Sequence, residues 1–193
     1  MSESGKTETE KEHDRRLSDI VAVTVVVLTV FLAVGKVKDD NIVQAMQKAQ
    51  AGSVDAWAEY QSTRIKLHGD ENGLTTLRLL EGSSGIDKAR AAKQAAEYEA
   101  DIKKYEARSR ETRAKAEALE KEYDRLNMRD DQFDVSEAFI SIAIALAAVA
   151  SLVDSWLLVY LAWGSGGIGI LFGIAGFAEI SLRVQWLVAL LGT

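Results

Sequence analysis

Residues 86–163 read IDKARAAKQAAEYEADIKKYEARSRETRAKAEALEKEYDRLNMRDDQFDVSEAFISIAIALAAVASLVDSWLLVYLAW, 78 residues without a Gly or a Pro. Ala, Glu, Lys and Arg dominate the first two thirds, and all are strong helix formers. Small or apolar residues recur at alternating steps of three and four: Ala91, Ala95, Tyr98, Ile102, Tyr105, Ser109, Thr112, Ala116, Leu119, Tyr123, Leu126, then Asp130 and Phe133. That is a narrow two-in-seven seam, the pattern of helices that wind on one another. From Val135 to Val153 the charges vanish except for Glu137, so one uninterrupted helix is expected to pass from a charged region into an apolar one.

Working towards the N-terminus, the seam has a counterpart. Ile42, Met46, Ala49, Ser53, Ala56, Tyr60, Thr63 and Leu67 step by four and three. Turn chemistry follows twice, in Gly69-Asp70-Glu71-Asn72-Gly73 and in Glu81-Gly82-Ser83-Ser84-Gly85, with a leucine-rich segment between that suits a short capping helix. The tip of a hairpin is therefore expected near 69–86. Lys36–Leu80 and Asp87–Asp134 are similar in length, as two arms that leave and rejoin one surface must be; fully helical, each would reach about 70 Å. Both seams are small, so a lone hairpin buries little apolar area, at about 25 cal/mol per Å². The chain is expected to assemble as a homo-oligomer.

Three stretches lack charge: 17–35, with Asp19 alone; 135–153, with Glu137 alone; and 156–178, with none. They are roughly 28, 28 and 34 Å long as helices, against a hydrocarbon core of about 30 Å. Asp154-Ser155 reads as the turn between the last two. A break at Gly164–Gly167 would instead place Glu179 and Arg183 at mid-membrane, at about 2.5–3.5 kcal/mol for each charge. The first stretch also resembles a signal peptide ending at Ala33-Val34-Gly35, but acids interleave the bases of its n-region, and a chain that starts at Met1 and keeps this segment reads as a retained span. The fold class expected is thus an all-α integral membrane protein: a polar tail 1–16, spans at 17–35, 135–153 and 156–178, an antiparallel helical-hairpin stalk at 36–134, and an interfacial segment at 179–193, where Arg183 follows Glu179 by one turn as an ion pair.

Orientation depends on what is counted. Short segments favour a cytoplasmic N-terminus, through Lys6, Lys11, Arg15 and Arg16 against Arg183, and so a translocated, periplasmic stalk. The stalk's own flanks, with Lys36, Lys38, Arg125 and Arg129 among them, count the other way.

Within the spans, Ala162, Gly166, Gly169, Gly173 and Gly176 fall on one face of the third, and Ala143, Ala147 and Ala150 on one face of the second. Small residues let helices approach closely, so these faces are expected to meet. Gly164 to Gly169 also fits a dinucleotide-binding GxGxxG, but no strand precedes it and the segment is apolar throughout. The second-arm seam continues through Glu137 to Asp154, and rings of these two acids would attract cations if copies surrounded an axis. Trp57 and Tyr60, three apart on the first arm, are candidate anchors for a partner.

Composition excludes several classes. With 29 acidic against 23 basic residues and a net charge of -6, the chain is no general nucleic-acid binder. It has no Cys and only His13 and His68, and no hydrolase, metalloprotease or nucleotide-binding motif, so no catalytic residue, metal or cofactor is expected. Membrane lipids, further copies of the chain and another membrane or envelope protein are the partners this leaves.

Three features resemble a known family: Trp57-Ala58-Glu59-Tyr60-Gln61 after the first span, Phe133-Asp134 leading into Glu137-Ala138 and Ile142-Ala143-Ile144-Ala145-Leu146, and a Trp-flanked glycine-rich last span. Over about Leu17 to Ala178 the chain is similar to an uncharacterised bacterial membrane protein family, the domain of unknown function 4337. It departs at the final turn, where Asp154 stands in place of a commonly basic residue. The resemblance implies the span–hairpin–two-span layout and a multi-pass protein of the bacterial cytoplasmic (inner) membrane. It implies no activity. The functional expectation is a non-enzymatic oligomeric scaffold or partner-binding subunit, with a channel or transport component built on Glu137 and Asp154 as the alternative.

Overall fold

The structure, a computed structural model, describes residues 8–80, 85 and 87–180. Three helices follow one another: α1 (Glu8–Leu80), α2 (Lys88–Leu152) and α3 (Trp156–Phe177). Each carries a segment long and apolar enough to cross a membrane. Contacts divide the chain into two units, one drawn from 1–45 and 125–193 and the other from 46–124.

In the first unit, all three helices share an apolar core. Leu17 and Val21 of α1 meet Ala147 and Ala150 of α2 and Val159 and Ala162 of α3. Next to them Leu28, Ile140 and Ala143 form a second cluster, flanked by Phe31 and Ile144. Phe177 closes the end of α3, edge-on to Phe31 and Phe133 at centroid distances of 6.4 and 5.1 Å. The outward surface remains apolar: Val23, Val26, Val30, Leu157, Leu161 and Leu171 are all exposed.

α2 and α3 end in the same backbone device. Ser155 N–H donates to Ala150 O at 3.1 Å and Ile180 N–H to Ala175 O at 3.0 Å, which are Schellman closures. The left-handed position in each is acidic, Asp154 at φ 49° and Glu179 at φ 59°. The turn expected at Asp154-Ser155 is thus present, and α3 runs unbroken through Gly164–Gly167.

The second unit is an antiparallel pair of helices, with Gly52 beside Leu119 and Gly73 beside Tyr98. Its interior is small: Ala49, Ser53, Ala56 and Thr63 of α1, with Ala91, Ser109, Thr112 and Ala116 of α2, are buried. These are the two seams read from the sequence. Thr112 remains compatible with burial because its Oγ1 donates to Arg108 O at 2.9 Å. The outside is tied by charge, Arg78 to Glu99 at 3.0 Å and Arg108 to both Glu59 and Glu111.

One expectation fails here. The chain does not turn at Gly69–Gly73; α1 continues to Leu80, and α2 begins at Lys88. Two helical glycines are unfavourable by about 1 kcal/mol each. The segment stays helical because its last turns have work across the pair: Leu74 is buried, and Gly73 admits Tyr98 so closely that a Cβ there would lie 2.8 Å from the ring. Asp87 then starts α2, accepting from the N–H groups of Ala89 and Arg90 at 3.0 and 3.2 Å, a side-chain N-cap.

Candidate functional site

Three places hold the residues singled out from the sequence. The glycine face of α3 is occupied along its length. A Cβ on Gly169 would lie 2.7 Å from Ile140 Cγ1 and 3.0 Å from the backbone oxygen of Ser136; on Gly173, 2.6 Å from the Phe31 ring; on Gly176, 2.8 Å from Phe133. Gly166 lies against both Leu28 and Ala143. The small faces of α2 and α3 do come together, and α1 joins them as a third partner. Ser136 stitches the approach, its Oγ donating to Gly169 O at 2.7 Å, and Ser165 Oγ donates to Phe139 O, also at 2.7 Å.

Glu137 and Asp154 stand at opposite ends of the apolar part of α2. Between them the seam face is turned into the chain: Ile140 and Ala147 are each 1% exposed. Glu137 faces Lys36 Nζ at 3.5 Å, and Asp154 occupies the left-handed corner before α3.

Trp57 and Tyr60 meet edge-to-face at 5.5 Å, and the Trp57 indole N–H donates to Glu120 Oε1 at 2.7 Å. Both rings are half-buried and engaged within the hairpin.

A fourth place was not read from the sequence. On α1, Gln47, Ala51, Val54, Ala58, Gln61 and Ile65 form a second two-in-seven line, about 140° round the helix from the buried seam. It continues as His68, Asn72, Thr75 and Leu79. Every member is exposed, Val54 by 62% and Ile65 by 73%, and none is Asp, Glu, Lys or Arg. Exposed positions of α2 in the same unit are dense in Lys, Arg and Glu. The sequence signal was available, as a helix with two apolar or neutral stripes in place of one.

Polar residues also gather where the apolar segments of α1 and α2 end. Lys36 Nζ donates to Asp39 Oδ2 at 3.0 Å, and its ammonium is pushed up to about 12, chiefly by that bond. Asp130, Asp131 and Asp134 come from α2, and burial raises all three carboxyls above the ordinary range. Arg129, 8% exposed, donates to Gly176 O at 3.3 Å and pairs with Glu179 at 2.9 Å, placing a cation at the C-terminal end of α3, where the helix dipole favours it. Glu179 also pairs with Arg125 at 3.4 Å. Its expected partner Arg183 lies outside the described residues.

The family model for the domain of unknown function DUF4337 matches residues 17–179. The chain belongs to this family. No curated protein and no solved structure matches it. The family description assigns no chemistry, and among the described residues no three His, Asp or Glu side chains are arranged to hold a metal ion.

Proposed function

We propose that this protein is a non-enzymatic membrane scaffold or partner-binding subunit that works through the uncharged exposed line on α1. The apolar segments 17–35, 135–153 and 156–178 of the first unit span the bilayer, their outward Val and Leu side chains facing lipid; an apolar surface of that extent is otherwise an aggregation hazard. The bilayer is the bacterial cytoplasmic membrane, and the short-segment charge count favours a periplasmic hairpin.

The observation that carries the reading is Gln47-Ala51-Val54-Ala58-Gln61-Ile65, a heptad line left exposed among the described residues. Its neutral, mixed Gln and aliphatic chemistry suits a helix of like kind, and a second copy of the chain offers one without charge repulsion. Such a contact is modest in apolar area and therefore reversible. Support for a scaffold over a channel comes from the Glu137–Asp154 face, whose middle is already covered by α1 and α3.

Val54→Glu with Ile65→Glu is the test, read by native mass spectrometry of nanodisc-held protein. The expected result is loss of extra copies, or of a co-purifying protein, with unchanged melting temperature. An identical particle mass in parent and variant would overturn the reading. Trp57→Ala serves as contrast: it removes contacts within the hairpin, so it lowers the melting temperature and leaves composition alone. Cation flux in liposomes should be the same for the parent and for Glu137→Gln with Asp154→Asn.

A further inference from the structure

Asp39 is the most deeply buried acid among the described residues of the first unit, 4% exposed, and its two oxygens are treated unequally. Oδ2 accepts from Lys36 at 3.0 Å. Oδ1 is shut off from solvent and has no donor. A buried acceptor left unpaired is unfavourable by about 1–3 kcal/mol, and more when it is charged. The cleft lined by Gly35, Lys36, Asp39, Phe133, Ser136 and Glu137 has room for about 10 Å³, at the lower limit for a single water.

The remaining neighbour is another acid. α2 lies against α1 with Phe133 at Gly35 and Glu137 at Lys36, so one turn further along each helix Asp130 comes to Asp39. Two carboxylates so placed repel, whereas a carboxylic acid facing a carboxylate gives a strong O–H···O⁻ bond. We propose that Asp39 and Asp130 form a proton-binding site, in which one hydrogen on Asp130 Oδ is donated to the orphaned Asp39 Oδ1 and holds α1 to α2.

The surroundings agree. α1 presents Lys36 and Asp39; α2 presents Asp130, Asp131, Asp134 and Glu137; α3 carries no charged residue from Trp156 to Phe177. Lys36 is thus one cation among five carboxyl groups, and it is shared between Asp39 at 3.0 Å and Glu137 at 3.5 Å. Its bond occupies Asp39 Oδ2 and leaves Oδ1 as the open acceptor. Burial, then the Asp39 bond and charge, push Asp130 from its ordinary 3.8 up to about 7.

The sign follows from linkage. Asp130 binds its proton more tightly folded than unfolded, so between its ordinary value and about 7 the native state holds the extra proton. Stability from this group is present at low pH and is lost as pH rises towards and through about 7.

The test uses the full chain in nanodiscs, with melting followed from about pH 5.5 to about pH 8.5. The parent is expected to lose melting temperature through neutrality. Asp130→Asn, which keeps a donor and removes the charge, is expected to flatten the profile at the low-pH level. Asp131→Asn with Asp134→Asn should keep the inflection. On that double-variant background, infrared difference spectra should show a protonated carboxyl band that disappears near pH 7, and Asp130→Asn should abolish it. A flat parent profile without that band overturns the proposal, as does a band that survives Asp130→Asn. Should Asp130→Asn not fold, the band on the double-variant background decides: titration near pH 7 supports the pair, and its absence overturns it.

Discussion

The same long helices are held together in two different ways. In the unit of 1–45 and 125–193 the contacts are backbone-close: glycines of α3 take the rings of Phe31 and Phe133 and the main chain of Ser136 directly against the helix. In the 46–124 unit the helices are separated by Ala, Ser and Thr and joined at their rims by long charged side chains such as Arg108 with Glu59. Water explains the contrast. Where solvent reaches the rim, a charged side chain is inexpensive and a shallow core suffices. Where the surroundings are apolar, expulsion of water contributes little between helices, and close van der Waals fit with shared hydrogen bonds takes over.

Breaking the first mode should have the larger effect. Gly169→Ala pushes a methyl into Ile140 and the Ser136 carbonyl, neither of which is a free side-chain end. Overpacking of this kind is destabilising by about 1–3 kcal/mol, read as a lower melting temperature in nanodiscs. Gly167→Ala, with nothing within 4 Å, is the matched control and should leave the melt unchanged. If both behave alike, the close approach of α3 is not what holds this unit.

The second mode has slack that substitution can exploit. Gly69 is helical, with no atom within 4 Å of a built Cβ. Gly69→Ala should therefore stabilise the hairpin by up to about 1 kcal/mol through helix propensity alone. The smallest effect belongs to Arg108→Gln. Its guanidinium is held above its usual value by Glu59 first and then Glu111, yet it is exposed. The parent should lead by a small margin at low salt that closes at high salt, as screening of a surface pair requires. A margin that persists in salt would move the hairpin into the first class.

These contrasts were unequally legible. The seams, the small faces of α2 and α3 and the corner at Asp154 are periodic or compositional features, and helices preserve periodicity. Gly69–Gly73 misled because turn residues carry a local signal only; that Tyr98 needs the space at Gly73 is a fact about a residue 25 positions away. Asp39 stayed hidden for the same reason. Beside Lys36 at i,i+3 it reads as an ordinary ion pair, and only packing against the rest of the unit buries its second oxygen without a donor. Trp57 and Tyr60 drew attention by residue type, whereas the exposed line from Gln47 to Ile65 contains nothing chemically loud.

The two acids in left-handed corners bound α3 as a pair of stops. Asp154 precedes the 22 helical residues and Glu179 follows them, each committed by backbone geometry to its corner. In a bilayer neither can be drawn inward without dragging a carboxylate and a strained residue with it, so sliding along the membrane normal is blocked in both directions. The apolar length between them, about 33 Å, slightly exceeds a hydrocarbon core of about 30 Å. A thinner membrane would therefore be met by tilt, carrying the helices bound to the glycine face along with it.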